Sequence, residues 1–389
     1  MTDKSKQNQY GESDSLTPGE SREILKHNRK LSAKYERLRH RRNIPSEEYL
    51  SSMKNSANVA EIENLKTYFF TESGTVKAAD GVTFSIPRGK TVGVVGESGC
   101  GKSVVGLSLM RLIQHQRGQI VDGSIRFDTG DIVYDIAKLP ENLMKNLRGS
   151  RVSMIFQEPM TCLNPVIRIG SQLGEVFALD NIGKSRREIK ELSTEALRGV
   201  GIANAEGVYK MYPHELSGGM RQRVMIAMAL SRGPRLVVAD EPTTALDVTV
   251  QAQILDLLRT LREKANTGVM LITHDLGVVA EMADTVVVMY AGRVVERGAV
   301  SDIFNDARHP YTVGLMKSKP ALVKNGEKLY NIPGKVPDPV NLPDHCYFYD
   351  RCDRRTDKCK DVYPAETRTA DEHYVSCYHA ESENTEKED

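Results

Sequence analysis

Residues 96–103 read Gly-Glu-Ser-Gly-Cys-Gly-Lys-Ser, between the apolar run Thr91–Val95 and a helix-like run that continues to Ile113. This is a G-x-x-x-x-G-K-S pattern in the strand–loop–helix context that it requires. Glycines let successive backbone N–H groups turn inward around phosphate oxygens, and the following helix points its positive dipole end at the same anion. Lys102 would reach the β- and γ-phosphates, and Ser103 would offer its hydroxyl to Mg²⁺. The stretch therefore predicts a nucleoside triphosphate site.

The composition predicts a globular chain without a strong charge preference. Of 389 residues, 27% are charged and 40% are hydrophobic, and the formal net charge is +1. This balance gives no general attraction to nucleic acid or to acidic membranes. No run approaches the roughly 18 apolar residues of a membrane span, and the polar N-terminus lacks the hydrophobic core of a secretory signal. We therefore expect a cytosolic chain, whose six cysteines are thiols or metal ligands rather than disulfides.

The two ends of the chain differ from its middle. Residues 1 to about 57 are polar, and within them residues 20–42 hold nine Arg or Lys against three Glu, with apolar residues at helical spacing. This extension is either a basic amphipathic helix suited to anionic lipid or an acidic partner, or a solvated and partly disordered arm. Residues 381–389 form an acidic tail that we expect to be disordered.

From Glu61 onward, short runs of Val, Ile and Leu indicate strands, several of them apolar throughout, as in strands covered on both faces. These runs are Val82–Ile86, Val92–Val95, Val152–Phe156, Leu236–Ala239, Val269–Thr273 and Val286–Met289. Between Met160 and Arg232 the pattern becomes helical, without a convincing strand. The sequence thus predicts an α/β nucleotide-binding core with a helical subdomain inserted at about residues 160–232.

Two further motifs fit such a site. Leu236–Glu241 is a predicted buried strand that ends in two carboxylates, which is costly unless a cation meets them. Asp240 suits the Mg²⁺ shell, directly or through water, and Glu241 is placed to orient or deprotonate the attacking water. Ser217 and the two glycines after it begin a helix whose free N–H groups form a second anion site, which could serve the nucleotide of another subunit.

Together these motifs resemble the ATP-binding subunits of ABC (ATP-binding cassette) transporters over about residues 59–300. The resemblance rests on the Walker A loop Gly96–Ser103, the Q-loop glutamine Gln157, the signature Leu216–Met220, the Walker B strand Leu236–Glu241, the D-loop Thr244–Asp247 and the switch histidine His274. The signature departs from the family pattern at Met220, where a glutamine is usual. The resemblance implies an α/β P-loop NTPase fold, an ABC nucleotide-binding domain with a RecA-like core, an antiparallel β subdomain near the adenine and the helical subdomain.

The resemblance also implies roles for single residues. The catalytic residues would be Glu241, His274, Gln157 and Lys102. The ATP-binding residues would be Phe69, Gly96, Glu97, Ser98, Gly99, Cys100, Gly101, Lys102, Ser103, Val104, Gln157 and Asp240, of which Ser103, Gln157 and Asp240 would hold Mg²⁺. For the adenine-stacking aromatic, Tyr68 and Phe70 are alternatives to the favoured Phe69. Asp247 would act in the D-loop, and the signature residues Ser217, Gly218, Gly219 and Met220 would contact the partner's nucleotide.

A narrower resemblance, over residues 59 to about 380, is to the oligopeptide/dipeptide (peptide/nickel) importer ATPases. It rests on Glu158–Pro165, Glu241–Gln253, Arg308–Thr312 and Asn331–Gly334. It implies ATP-driven dimer closure that powers uptake of oligopeptides or dipeptides, with nickel or another small solute as alternative cargo. It implies as partners a second, paralogous ATPase subunit, two transmembrane permease subunits and an external substrate-binding protein, with no nucleic acid. The chain would lie peripherally on the cytoplasmic face of the membrane.

Four cysteines form the pattern Cys-x₅-Cys-x₆-Cys-x₁₇-Cys in a segment with few core residues; they are Cys346, Cys352, Cys359 and Cys377. Four thiolates suit zinc or an iron–sulfur cluster, free thiols are a further alternative, and the lack of a Cys-x₂-Cys pair weakens zinc. The resemblance to the importer ATPases implies a 4Fe–4S cluster. His345 and His373 are rival ligands by position, although we expect both to be solvated.

The expected division is an extension at 1–57, an ABC domain at 58–305, a small C-terminal domain with the cysteines at 306–380 and the acidic tail at 381–389. Two other classes of protein contain some of the same motifs. A soluble ABC-type ATPase acting on DNA or ribosomes has the same core motifs, but usually two cassettes or a long coiled insertion, and it would carry a basic footprint. A redox or sensing protein would use the cysteine group as its working site.

Overall fold

The computed structural model describes residues 18–39, 41, 43–113, 118–158, 162–180, 184–244, 247–318, 330–340 and 342–380. The predicted acidic tail, the first 17 residues of the extension and the D-loop residues Ala245 and Leu246 lie outside these ranges. In the part of the chain that is described, no helix combines the length and the apolar character that a bilayer crossing needs.

The central sheet has the strand order β11-β12-β10-β9-β3-β8-β7-β6. Its parallel strands are β3 (Thr91–Val95), β6 (Val152–Ile155), β7 (Leu236–Asp240), β8 (Gly268–Ile272) and β9 (Thr285–Tyr290). They are buried along almost their whole length, as parallel strands with covered faces are. Because β3 lies between β8 and β9, the phosphate loop leaves the interior of the sheet. The predicted strands of this region are confirmed.

A second sheet is antiparallel, with the order β2-β1-β4-β5. Its strands are β1 (Asn58–Phe70), β2 (Thr75–Pro87), β4 (Gly118–Asp128) and β5 (Val133–Asp135). The predicted run Val82–Ile86 lies here in β2, where Phe84 pairs with Ile62 of β1. These side chains share one core with Val92 of β3 and with Leu109 of α3 (Lys102–Leu109). The antiparallel sheet is therefore packed directly on the strand that carries the phosphate loop.

Between β6 and β7 the described residues contain helices and no strand. These helices are α5 (Ile169–Asp180), α6 (Arg186–Gly199), α7 (Ala205–Lys210) and α8 (Gly218–Leu230), whereas α4 (Glu141–Leu147) precedes β6. Their apolar faces form a second core that includes Leu173, Leu197 and Val224. α6 begins with a capping box, in which the side chains of Ser185 and Glu188 each accept the other residue's backbone N–H. This agrees with the predicted helical subdomain.

The N-terminal extension contains α1 (Pro18–Arg39), which lies against β1 and β4, and the short α2 (Ser46–Tyr49). The Asn28 amide of α1 is buried and donates to the carbonyl oxygens of Thr71 (2.7 Å) and Gly74 (3.1 Å) in the turn between β1 and β2. In its described part, the extension is thus a helix packed on the antiparallel sheet, and its contact with anionic lipid or an acidic partner stays a prediction.

The C-terminal segment continues the central sheet. The remaining elements are α9 (Val248–Ala265), α10 (Leu276–Met282), β10 (Arg293–Ala299), α11 (Val300–Asn305), α12 (Pro310–Lys317), β11 (Thr367–Ala370) and β12 (His373–Val375). β12 pairs with β10 at Glu296 and Val375, and β11 pairs with β12. Phe348 packs in the same core as Val95 and Tyr290 of the cassette. The expected separate C-terminal domain is not confirmed, because this segment shares a sheet and a core with the cassette.

The buried carboxylate of Glu296 on β10 ties this segment together. It accepts the backbone N–H groups of Arg308 (2.8 Å) and His309 (3.0 Å), and His373 Nε2 lies 2.8 Å from its Oε1. His373 is only 1% exposed. The expectation of a solvated His373 was therefore wrong, because this ring is the partner of a buried glutamate.

We expect stability to fall on acidification because of His309. Its buried ring accepts the Tyr311 N–H at the start of α12, and burial lowers its pKa to about 4 despite the opposing effect of Glu296. The unfolded chain therefore binds this proton first, and stability is lost as the pH falls from 6.5 to about 4. Relative to His309→Asn, which retains a capping acceptor, the wild type should lose roughly 3 kcal/mol over this interval.

Urea titrations at both ends of this pH interval measure the difference, and His214→Asn at an exposed position is the matched control. Equal losses for the wild type and His309→Asn would contradict the assignment.

Candidate nucleotide-binding site

The phosphate loop connects β3 to α3 through glycines at positive φ, namely 150° at Gly96, 80° at Gly99 and 100° at Gly101. A Cβ at Gly101 would lie 2.0 Å from the Ala78 carbonyl oxygen, so no larger residue fits without a backbone shift. Gly101 precedes the first residue of α3, whose initial N–H groups lack partners within the helix. The loop therefore presents unpaired backbone donors next to β3, as an anion site requires.

Lys102 is buried within this loop and holds its backbone. Its Nζ donates to the carbonyl oxygens of Gly96 (2.7 Å) and Glu97 (3.0 Å) and lies 3.7 Å from Cys100 Sγ. Cys100 is also buried, and burial raises the pKa of its thiol above the ordinary value. A buried thiol with a raised pKa is a small packing group rather than a reactive one.

Ser103 and Asp240 bring two oxygen ligands together. The Ser103 hydroxyl donates to Asp240 Oδ1 at 3.0 Å, which joins the start of α3 to the end of β7. Burial raises the pKa of Asp240 above its ordinary value, and the Ser103 hydroxyl opposes this only in part. A hydroxyl and a buried carboxylate that lacks a full cationic partner are the ligand types that Mg²⁺ takes beside phosphates. These residues therefore fit the predicted metal ion.

Glu241, the residue after Asp240, collects donors from three segments. Its Oε2 accepts the Gln157 amide (2.9 Å) and the Thr244 hydroxyl (2.8 Å), and His274 Nδ1 lies 3.1 Å from its Oε1. Burial alone would raise the pKa of Glu241, but the hydrogen bonds from Thr244 and His274 lower it below its ordinary value. The carboxylate is thus held ionised, which is the form that can accept a proton from water.

The backbone of Glu241 is strained, with φ of 46° at a residue other than glycine. Such strain persists only where the surroundings impose it, and it is concentrated at functional sites. Here the Glu241 N–H bonds the Ile272 carbonyl of β8 at 2.8 Å. The side chain is 15% exposed, whereas that of His274 is 62% exposed. The predicted catalytic residues Glu241, His274 and Gln157 therefore meet at one edge of the sheet, with the histidine facing solvent.

The signature lies at the start of another helix. Ser217 caps α8 by accepting the Met220 N–H, and Gly219 lies against Val250 of α9. Ser217 and Gly218 are exposed, and no hydrogen bond joins them to the phosphate loop in the described chain. Asp247 likewise caps α9 by accepting the Val250 N–H at 2.9 Å. The two predicted anion sites are therefore not brought together within this chain.

The structure distinguishes the three candidate adenine aromatics. Tyr68 donates its hydroxyl to the buried Asp80 at 2.6 Å. Phe70 stacks on Tyr35 of α1, with 6.0 Å between ring centroids and 8° between ring planes. Both rings are thus engaged within the chain, which leaves Phe69 as the candidate for stacking on a base.

The sequence analysis did not predict two contacts of the site. The Thr244 hydroxyl supports Glu241, although this threonine was assigned only to a motif. Its position three residues after Glu241 was the available signal. The Tyr311 hydroxyl accepts the Glu97 N–H of the phosphate loop at 2.8 Å from 214 residues away, and no local pattern indicates this contact.

The four cysteines of the C-terminal segment, Cys346, Cys352, Cys359 and Cys377, line one small cavity, and none forms a disulfide. His379, which was not among the predicted ligands, also lines it. Its Nε2 lies 4.0 Å from Cys359 Sγ, and its N–H donates to Cys377 Sγ at 3.3 Å. Burial raises the pKa of Cys346 to about 12 and that of Cys377 to about 11.

The chemistry of these donors fits a metal–thiolate group, since four thiols line one cavity and a backbone N–H is directed at a sulfur. Within the described ranges, no set of three or more His, Cys, Asp or Glu side chains is close enough to ligate one ion. Binding of a metal would therefore require the thiols to draw together and lose their protons.

Comparison with known proteins gives consistent matches. Residues 79–244 match the family described as ABC transporter, and residues 295–359 match that described as oligopeptide/dipeptide transporter, C-terminal region. The chain is 49% identical over 331 residues to the oligopeptide transport ATP-binding protein AppD of Bacillus subtilis, covering 85% of this chain and 99% of AppD. It is 47% identical to OppD of Salmonella typhimurium, covering 80% and 91%. Among solved structures, cbiO1 from Clostridium perfringens, part of the ABC transporter complex cbiONQ, has a TM-score of 0.54 at 26% identity, covering 67% and 96%.

We expect Gly101→Ala to abolish nucleotide binding and lower stability, because a Cβ would lie 2.0 Å from the Ala78 carbonyl at a φ of 100°. Equilibrium binding of a fluorescent nucleotide and thermal unfolding measure the two effects. Gly199→Ala is the matched control, since a Cβ there meets nothing within 4 Å. Wild-type affinity in Gly101→Ala would show that the loop tolerates this strain.

Proposed function

The chain belongs to the ABC transporter ATP-binding proteins, in the branch of oligopeptide and dipeptide transport subunits, and we propose that it is the ATP-hydrolysing subunit of a peptide importer. The observation that carries the catalytic part is the meeting of Ser103, Asp240 and Glu241 beside the phosphate loop. Nickel as cargo, and a soluble ATPase acting on DNA or ribosomes, are alternatives that the names of the relatives do not favour.

In this proposal, the backbone N–H groups of Gly99 and Gly101 and the first turn of α3 hold the ATP phosphates, with Lys102 at the β- and γ-phosphates. Ser103 and Asp240 hold Mg²⁺, and the Gln157 side chain reaches the same region. When bound, Mg²⁺ neutralises charge that develops on the phosphates. Phe69 stacks on the adenine.

Glu241 orients the attacking water and accepts a proton from it as the new O–P bond forms. The bond between the γ-phosphorus and the β-phosphate oxygen breaks in the same step, and ADP is the leaving group. Thr244 and His274 keep the carboxylate ionised and fixed in direction, as their contacts with it support. The Gln157 amide donates a hydrogen bond to the same carboxylate. A γ-phosphate that takes over this amide would therefore remove a hydrogen bond from Glu241. Gln157 follows β6 and precedes the helical region, which suits it to couple the site to that region.

The catalytic enclosure is completed by a second cassette. Ser217 and Gly218 are exposed at the start of α8, where the free N–H groups of a helix attract an anion. In a head-to-tail pair, this signature contacts the γ-phosphate held by the partner, whose own signature serves the ATP bound here. Closure then pulls on two permease subunits, which keep the chain peripherally at the cytoplasmic face of the membrane. An external binding protein and these permeases select the cargo.

The four cysteines hold a 4Fe–4S cluster in this proposal, with zinc as the alternative. Support comes from the convergence of Cys346, Cys352, Cys359 and Cys377 on one cavity. The cluster would hold together a segment that otherwise has few core residues. Binding of its metal ions would require the thiolate form of these cysteines, although burial raises their pKa values.

We expect Glu241→Gln to lower ATP turnover at least about 100-fold while ATP stays bound, because the amide cannot accept the proton of water. Phosphate release by the assembled complex measures turnover, and nucleotide retention measures binding. Glu191→Gln, in an exposed ion pair with Arg187, is the matched control. Hydrolysis at the wild-type rate in Glu241→Gln would refute the catalytic role of this residue.

We expect anaerobically purified protein to contain iron and acid-labile sulfide, and Cys359→Ser to lose both, since each thiolate is a ligand. Elemental analysis and visible absorption measure this, with Cys162→Ser at an exposed position as the control. Stoichiometric zinc would select the alternative ion, and protein without any metal would refute the metal site.

A further inference from the structure

One residue of the cysteine segment reaches the phosphate loop. Arg351 lies between Cys346 and Cys352, in the 3-10 turn Tyr349–Arg351. Backbone hydrogen bonds within this turn, from Tyr349 to Cys346 and from Cys352 to Tyr349, fix its position relative to both cysteines. The backbone of Arg351 therefore moves with the cysteine site.

The side chain of Arg351 forms a two-point ion pair with Glu97 of the phosphate loop. Nη1 donates to Glu97 Oε2 at 2.7 Å and Nη2 donates to Oε1 at 3.0 Å, and the arginine side chain is only 4% exposed. Nε donates to the Pro333 carbonyl at 2.9 Å, and Nη1 lies 3.3 Å from the Tyr290 hydroxyl. Two parallel hydrogen bonds from a planar guanidinium fix the orientation of the Glu97 carboxylate as well as neutralising its charge.

Glu97 in turn organises the loop around the phosphates. Its N–H is held by the Tyr311 hydroxyl, and its carbonyl accepts Lys102 Nζ at 3.0 Å and the Cys100 N–H at 3.3 Å. The side chain, the N–H and the carbonyl of one loop residue are thus all engaged. Of these groups, only the carboxylate is negatively charged and would repel a bound polyphosphate. The guanidinium of Arg351 neutralises this charge.

We propose that Arg351 is a positioning residue for ATP binding, through which the cysteine segment supports the phosphate loop. The guanidinium neutralises Glu97 beside the triphosphate and keeps its backbone in the anion-binding turn. By linkage, anything that orders the segment around the cysteines tightens ATP binding, and ATP in return protects that segment. This inference rests on the proposed function in one respect, namely that the loop binds ATP.

The test is the ATP affinity of the full-length chain with Mg²⁺, measured by equilibrium titration in variants of the Arg351–Glu97 pair. Arg351→Gln should weaken binding about tenfold, because it leaves the Glu97 charge uncompensated beside the phosphates. Arg351→Lys should recover part of this loss, since it restores the charge but not the two-point geometry. The double variant Arg351→Gln with Glu97→Gln should bind more tightly than Arg351→Gln alone, because both charges are gone.

A matched control exists in the same part of the chain. Arg297 of β10 forms a two-point pair with Glu366, at 2.8 Å for both hydrogen bonds, and joins the C-terminal segment to the cassette without touching the phosphate loop. Arg297→Gln should keep the wild-type affinity within about twofold. At saturating ATP, Arg351→Gln should keep a kcat close to that of the wild type while KM rises, since the reacting residues are untouched.

Equal ATP affinity for Arg351→Gln, Arg297→Gln and the wild type would overturn the inference, and so would failure of the double variant to recover affinity. Thermal unfolding and the reactivity of the cysteines with a thiol reagent, with and without ATP, are measured on every variant. If Arg351→Gln does not fold, the single variant Glu97→Gln is the test. The inference then predicts that the cysteines of Glu97→Gln react faster with the thiol reagent, and that ATP no longer protects them. A wild-type chain that binds no ATP would instead refute the proposed function.

Discussion

The site depends on charge balance at the end of a buried strand. β7 is buried along its whole length, yet it ends at Asp240, and Glu241 follows directly. Carboxylates in such a position are costly unless donors or cations meet them. The donors come from four places, since Ser103 follows β3, Gln157 follows β6, Thr244 follows β7 and His274 follows β8. Because these strands are parallel neighbours, their carboxyl ends meet, and the order of the central sheet is what makes the site possible.

One chain presents two helix starts that attract anions, and they lie in different parts of the fold. The start of α3 offers unpaired N–H groups beside the carboxylates, whereas the start of α8 offers a similar set from the helical region. Ser217 at the latter start is exposed and bonds locally to Met220. Within the described chain these two helix starts do not meet, and in the proposed function the start of α8 serves the nucleotide held by a second subunit.

Much of the fold and site could be predicted because the signals are local. Apolar runs predicted β2 and the five parallel strands, but not β1, β4 or β10, in which polar residues interrupt the apolar pattern. The glycine pattern predicted the turn at Gly96–Ser103 and the residues around it. Contacts between distant segments could not be predicted in this way. His373 appeared to be a solvated histidine, and only the pairing of β12 with β10 places it against Glu296. The pair Arg351–Glu97 spans 254 residues, and neither residue type alone indicates a partner.

The addition of β12 and β11 also has a consequence for assembly. Without them, β10 would present a row of free backbone groups at the border of a long sheet, which is a template for unwanted pairing between chains. The outermost strand is instead the short β11, whose residues are mostly exposed and include Arg368, paired with Asp371. A short, charged border of this kind resists pairing with the border strand of another copy of the chain.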